Sequence, residues 1–252
     1  VSIVTVMIML ERVPTGIPGF DELCEGGLLR DRSYLVSGPS GSGKTVFALQ
    51  FIVNGVEKFN EPGIFVTTEE RPQHLREHSI TFGWDLEKLE DENMLAIVDA
   101  TSTKIGLPSD EKYIDVRPFD TRSLLDQIIT IQDEIGAKRA VVDSTTSIGF
   151  VIGDPGKFRV ELLKISTTME ILGLTSLLTC EVIENGPDKI SRFGVENFVV
   201  EGTIVLYYTR IENTRMRSIE IFKMRGTNHS KKIHPFEITN RGIVVYSKEE
   251  IF

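Results

Sequence analysis

The sequence predicts an α/β fold: a mostly parallel sheet covered by helices and extended at its C-terminal end by antiparallel β-hairpins. Three observations carry this prediction. Short apolar runs at 33–37, 63–68, 94–99, 139–144 and 175–180 alternate with stretches of helical periodicity, and such alternation marks a parallel sheet buried on both faces. One strand-to-helix junction is a glycine-rich octapeptide at 38–45. The last quarter then abandons helices for β-prone runs at 202–209, 216–224, 233–238 and 242–246, separated by turns. A chain of 252 residues has the length for one such domain with a full core, and 1–252 is read as one.

The first ten residues are almost wholly apolar. They are too short to span a bilayer and lack the flanks of a signal peptide. They read either as a first strand or as a short leader from a misplaced start, since Met7 and Met9 sit just before recognisable sequence. Pro14, Gly16, Pro18 and Gly19 punctuate a turn into a short helix, which Gly26 and Gly27 end. After the strand at 33–37, Gly38-Pro39-Ser40-Gly41-Ser42-Gly43-Lys44-Thr45 fits G-x-x-x-x-G-K-[ST] without departure. Its glycines free the backbone to aim several N–H groups into one concavity at a helix N-terminus, a natural seat for phosphate. Gly38, Ser40, Gly41, Ser42 and Gly43 would cradle the phosphates of a nucleoside triphosphate. Lys44 would reach the β- and γ-phosphates, and the Thr45 hydroxyl would hold Mg²⁺. The apolar residues of 46–53 suit a buried helix.

The strand at 63–68 ends in Glu69-Glu70-Arg71-Pro72, and Pro72 suits the first turn of a helix over about 73–82. The two carboxylates have two readings: solvated acids favoured by a helix dipole, or a pair at the catalytic edge of the sheet, one of which polarises the attacking water. His74 and His78 share a helical face, but no third ligand accompanies them, so the expectation is a surface helix. A strand at 94–99 leads into a long surface loop over 100–120 and a helix over 121–134. The strand at 139–144 carries Asp143 near its tip, where a phosphate-loop protein holds the water shell of Mg²⁺. A helix over 158–172 and a strand at 175–180 follow. Between 203 and 232 stand seven Lys/Arg against two acids, a local net charge of +5. This block reads either as a solvated hairpin edge or as a surface aimed at phosphate.

Taken together, several blocks resemble the KaiC-like ATPases of the RecA superfamily, over nearly all of 11–246. They are Thr15-Gly16-Ile17 with Phe20-Asp21, the phosphate loop, Thr67-Thr68-Glu69-Glu70-Arg71-Pro72 and Phe82-Gly83-Trp84-Asp85-Leu86. Further on come Val142-Asp143-Ser144, Arg192-Phe193-Gly194-Val195-Glu196 and Lys223-Met224-Arg225-Gly226-Thr227-Asn228-His229. The likeness is to the first, hydrolytic half of the two-domain members, and it implies a RecA-type core that takes ATP and Mg²⁺. It implies that Glu69 and Glu70 are the catalytic acids and Asp143 the Mg²⁺-associated aspartate. Lys223 and Arg225, with Thr227 and His229, would approach the nucleotide of an adjacent subunit in a ring homo-hexamer. Self-phosphorylation is not expected.

Composition narrows the classes. A net charge of −9 argues against wholesale nucleic-acid binding. Cys24 and Cys180 have no nearby partner and read as buried thiols of a reducing compartment. With no apolar run long enough to span a membrane, a cytoplasmic regulatory ATPase switch is expected. The rivals are a DNA recombinase with the same core and a module that holds ATP without hydrolysing it. The protein partner that reads the switch is not legible.

Overall fold

The computed structural model describes residues 10–102, 106–115, 117, 120–183 and 190–250; all but the last residue of the expected leader lies outside them. The described strands are β1 (Arg12–Val13), β2 (Leu28–Leu29), β3 (Ser33–Gly38), β4 (Gly63–Thr67), β5 (Leu95–Asp99), β6 (Tyr113–Ile114), β7 (Arg139–Asp143), β8 (Thr175–Glu181), β9 (Gly202–Ile211), β10 (Thr214–Met224), β11 (His234–Thr239) and β12 (Gly242–Val245). The helices are α1 (Lys44–Phe59), α2 (Pro72–Ile80), α3 (Leu86–Asp91), α4 (Thr121–Ile135), α5 (Thr145–Ile152) and α6 (Pro155–Ile171).

The main sheet runs β12-β11-β10-β9-β3-β8-β7-β4-β5-β6. From β9 to β6 every pairing is parallel, and from β9 outward to β12 every pairing is antiparallel. This is the RecA-type core with its antiparallel extension. One refinement concerns β9, expected as part of a hairpin addition: it is also parallel to β3 and so belongs to the core.

Side chains alternate across the sheet as the strand period requires. Tyr34 and Val36 face a core built with α1, and Leu35 faces one built with α4, α5 and α6. The chain leaves β3 for α1 and returns at β4, skipping the places of β8 and β7. A crevice therefore opens at the C-terminal ends of these strands, where open α/β sheets bind ligands.

Two helices escape the sequence reading. α3 is only six residues long, started by the Asp85 carboxylate accepting from Lys88 N. α5 opens with Thr145-Thr146-Ser147, residues that favour caps and turns over helix interiors. The expected surface loop after β5 is partly buried over its described residues. The Asp99 carboxylate accepts from Thr101 N, Ser102 N and Ser109 Oγ, and Thr101, Ser102 and Asp115 are buried. His74 and His78 lie exposed on α2 as expected, and both cysteines are buried and unpaired. Among the described residues no helix is long and apolar enough to cross a membrane.

The far end of the sheet is closed by a buried arginine. Arg139, at the start of β7, is 0% exposed. Its guanidinium donates to Glu61 Oε2 at 2.8 Å, Phe51 O at 2.8 Å and Pro14 O at 2.9 Å. The rings of Phe51 and Phe59 lie 4.6 and 5.1 Å from it. Gly55 is required here, since a Cβ would sit 2.4 Å from Arg139 Cδ. Nearby, Asp21 accepts from Thr15 N, Thr15 Oγ1 and Gly16 N, which explains why Thr15 and Asp21 occur together. Arg139→Ala should lower the free energy of unfolding by about 3–5 kcal/mol, because it empties the volume of a fully buried side chain and strips Phe51 O, Pro14 O and Glu61 Oε2 of their donor, although Glu61 keeps Arg30 at 3.0 Å. Urea denaturation followed by circular dichroism checks this; a loss under 1 kcal/mol would contradict it.

Candidate active site

The phosphate loop joins β3 to α1. Gly41 and Gly43 have φ of 77° and 104°, the left-handed region that costs a residue with a Cβ. Gly38 serves differently from the expectation. Its φ is ordinary, and the constraint is space: a Cβ there would meet Leu206 O at 2.4 Å and Ser42 Oγ at 2.6 Å. Gly43 caps α1, so the loop's N–H groups open at the positive end of a long helix. The Ser42 hydroxyl is buried without a partner among the described residues, whereas Ser40 is exposed at the loop's outer side. Lys44 is nearly buried and donates to Pro39 O at 3.0 Å, curling over its own loop.

Asp143 ends β7 beside this loop. Thr45 Oγ1 donates to its Oδ2 at 2.7 Å, and Thr179 Oγ1, from β8, donates to its Oδ1. Burial pushes the Asp143 carboxyl above its ordinary value, while the hydrogen bonds from Thr179 and Thr45 act the other way. With its proton committed to Asp143, the Thr45 hydroxyl keeps its lone pairs for a cation. The donor set is oxygen only, as Mg²⁺ demands, and the loop suits a polyphosphate. The residues fit ATP with Mg²⁺.

The adjacent acids diverge. Glu69 Oε1 accepts from Ser144 Oγ at 2.6 Å and from Ser147 Oγ at 2.9 Å, so Glu69 turns toward β7 and the start of α5. Glu70 Oε1 lies 2.7 Å from His78 Nδ1 and turns toward α2. Its main chain is tied down by Thr67 Oγ1, which donates to Glu70 O at 2.5 Å. Only Glu69 reaches the neighbourhood of Asp143.

The basic block separates into two groups at opposite ends of β10. Arg217 stands near the phosphate loop and donates from Nε and Nη2 to Gly41 O at 3.2 and 3.1 Å, with its guanidinium 4.4 Å from the Tyr208 ring. Lys223 and Arg225 stand at the other end. Met224 pairs with Gly202, which pairs with Tyr34, four residues or roughly 13 Å below Gly38 at the usual strand rise. Lys223 Nζ donates to Val200 O at 2.9 Å, and Arg225, just past the strand, is exposed 4.0 Å from Glu201. Thr227 Oγ1 accepts from Arg12, and His229 Nδ1 lies 2.7 Å from Ser230 O. None of these four meets the phosphate loop of its own chain among the hydrogen bonds and ion pairs of the described residues.

Sequence reasoning named Gly38, Gly41, Gly43, Lys44, Thr45, Glu69 and Asp143, which the structure brings together. It missed Thr179, Ser144, Ser147 and Arg217. A hydroxyl residue near the tip of β8, the strand next to the one ending in Asp143, was the available signal for Thr179.

The family model "ATPase: KaiC" matches residues 13–250. The chain belongs to the KaiC family of ATPases. Within the family it is 42% identical over 238 residues to the UPF0273 protein MJ1359 of Methanocaldococcus jannaschii, covering 94% of this chain and 97% of that one. It is 40% identical to the circadian clock oscillator protein KaiC of Synechococcus elongatus over 94% of this chain but 44% of the relative. The chain thus spans less than half of that cyanobacterial protein. The crystal structure of a KaiC-like protein, PH0186, from Pyrococcus horikoshii superposes with a TM-score of 0.81 at 42% identity, covering 94% of this chain and 100% of that one.

Thr179→Val should leave Asp143 Oδ1 without its donor. The nucleotide-free protein should lose about 1–3 kcal/mol of stability in urea titration, and Thr179→Ser should keep most of it.

Proposed function

We propose that this KaiC-family chain hydrolyses ATP with Mg²⁺ in a head-to-tail ring, as a slow regulatory switch. The observation that carries the reading is the convergence of the phosphate loop, the Thr45–Asp143 pair and Glu69 at one end of the sheet. When bound, Mg²⁺ would neutralise charge on the phosphates. The chain's own residues do the rest. The loop N–H groups and Lys44 orient the polyphosphate, Thr45 and Asp143 hold the metal's side of the site, and Glu69 accepts a proton from the attacking water. Glu70 is the weaker candidate because its carboxylate turns to His78 on α2, away from Asp143, whereas Glu69 turns toward β7.

Lys223 and Arg225, with Thr227 and His229 behind them, serve the site of the next subunit. Two features support this: their distance from their own phosphate loop and the exposure of Arg225. A head-to-tail contact repeated around a closed ring would bring such a surface to every site. A hexamer is the size the family resemblance implies. ATP, Mg²⁺ and other copies of the chain are therefore the partners of this reading, and a cytoplasmic setting suits them.

Lys44→Ala should lose ATP·Mg binding in equilibrium dialysis. Glu69→Gln should lower turnover about 10²–10⁴-fold while sparing binding, and Glu70→Gln should fall well short of that; equal activity of Glu69→Gln and the parent in a phosphate-release assay would defeat the assignment. For the basic block, Glu69→Gln and Arg225→Ala proteins should each be inactive. Mixing them should restore part of the activity, because about a quarter of contacts would pair an intact acid with an intact arginine. Failure to recover despite subunit exchange, verified by mass spectrometry, would place Arg225 outside the neighbour's site.

A further inference from the structure

The first turn of α5 is built unusually. Ser144 stands at the N-cap position with extended backbone angles, yet its side chain accepts no hydrogen bond from the helix. A serine there ordinarily receives one from the second or third helical N–H, which stabilises the helix start. Here the Ser144 hydroxyl is turned to Glu69 instead, and Ser147, one turn on, is turned to the same oxygen. Both serines are buried. Around them the backbone of the β4–α2 connection is fastened to the end of β7: Thr68 N donates to Asp143 O at 2.8 Å, Ser144 N donates to Thr68 Oγ1 at 2.8 Å, and Thr68 Oγ1 donates to Ser144 O at 2.9 Å. The other carboxylate oxygen of Glu69, Oε2, accepts no hydrogen bond among the described residues.

We propose that Ser147 is a positioning residue for hydrolysis, which with Ser144 grips Oε1 of Glu69 so that Oε2 alone faces the attacking water. The inference rests on the reading of Glu69 as the proton acceptor. A carboxylate on a connection between elements has three side-chain torsions to settle. Two fixed donors on one oxygen settle them, and reaction rates are sensitive to misplacement of an acceptor by an ångström. Ser147 is the cleaner of the two to test, because Ser144 adjoins Asp143.

Ser147→Ala should lower kcat by roughly tenfold to a hundredfold, the range of a hydrogen bond to a charged group. The KM for ATP·Mg should stay at the parent value with the protein folded at the assay temperature, and Ser147→Thr should recover most of kcat. A double-mutant cycle separates positioning from a general structural role. In a Glu69→Gln background, single-turnover hydrolysis should change less than about twofold when Ser147→Ala is added. If Ser147→Ala melts early, Ser147→Cys carries the same comparison with nearly the same volume and a weak donor. Parent-like kcat in the Ser147 variants alongside a silent Glu69→Gln would overturn this inference alone, as would equal effects of Ser147→Ala in both backgrounds. An active Glu69→Gln would overturn the underlying reading as well.

Discussion

Arg139 fixes one end of α1 against one end of β7, and the geometry at their other ends depends on it. The guanidinium binds Phe51 O at the middle of α1 and lies 5.1 Å from the ring of Phe59, the last residue of that helix, and it belongs to the residue that begins β7. At the opposite ends of the same two elements stand Thr45 and Asp143, which meet in a hydrogen bond. A helix and a strand held at the base have little freedom to separate at the tip. The cost is a charge taken out of water, offset by Glu61, two carbonyls and two aromatic faces. A long aliphatic side chain could fill the volume, but it could not hold Pro14, Phe51 and Glu61 at once.

The acidic tips are arranged by hydroxyls. Thr45 and Thr179 take Asp143, while Ser144 and Ser147 take Glu69. Burial pushes the Asp143 carboxyl upward, the threonine donors oppose that push, and nearby Glu69 adds a smaller upward one. Hydroxyls suit this task because they donate without carrying charge, so they stabilise an ionised acid without cancelling the field a cation or a proton donor would meet.

Much of this was legible before any coordinates. The octapeptide at 38–45 declares its geometry because few residues tolerate its backbone, and the alternation of strands and helices declares the parallel sheet. Asp143 was legible because it follows the apolar run Ala140-Val141-Val142 at the end of a strand. α5 was not, since its first residues are hydroxyl-bearing and prefer turns when judged alone; their reason for being there is Glu69, seventy-odd residues earlier. Arg139 was hidden for a similar reason. Nothing beside it in the chain marks a buried charge, and its partners come from three other segments. The basic residues between 203 and 232 read as one cluster along the chain, and only the hairpin's fold shows that they occupy two places.

That hairpin has a mechanical consequence. β10 is held to β9 from Thr214 through Met224, so it behaves as a stiff rod with Arg217 braced on the phosphate loop and Arg225 just beyond its far end. Seven residues of strand lie between the two arginines, a span of roughly 27 Å at the usual rise. Neither end of such a rod shifts along its axis by itself, because the ladder would have to slip in register, and a slip of one residue turns every side chain to the wrong face. The ladder skips once, between Ile221 and Lys223, and bulges are where strands bend. The ladder thus resists displacement along its axis as far as Ile221, and whatever give the hairpin has is concentrated directly before the distal basic residues.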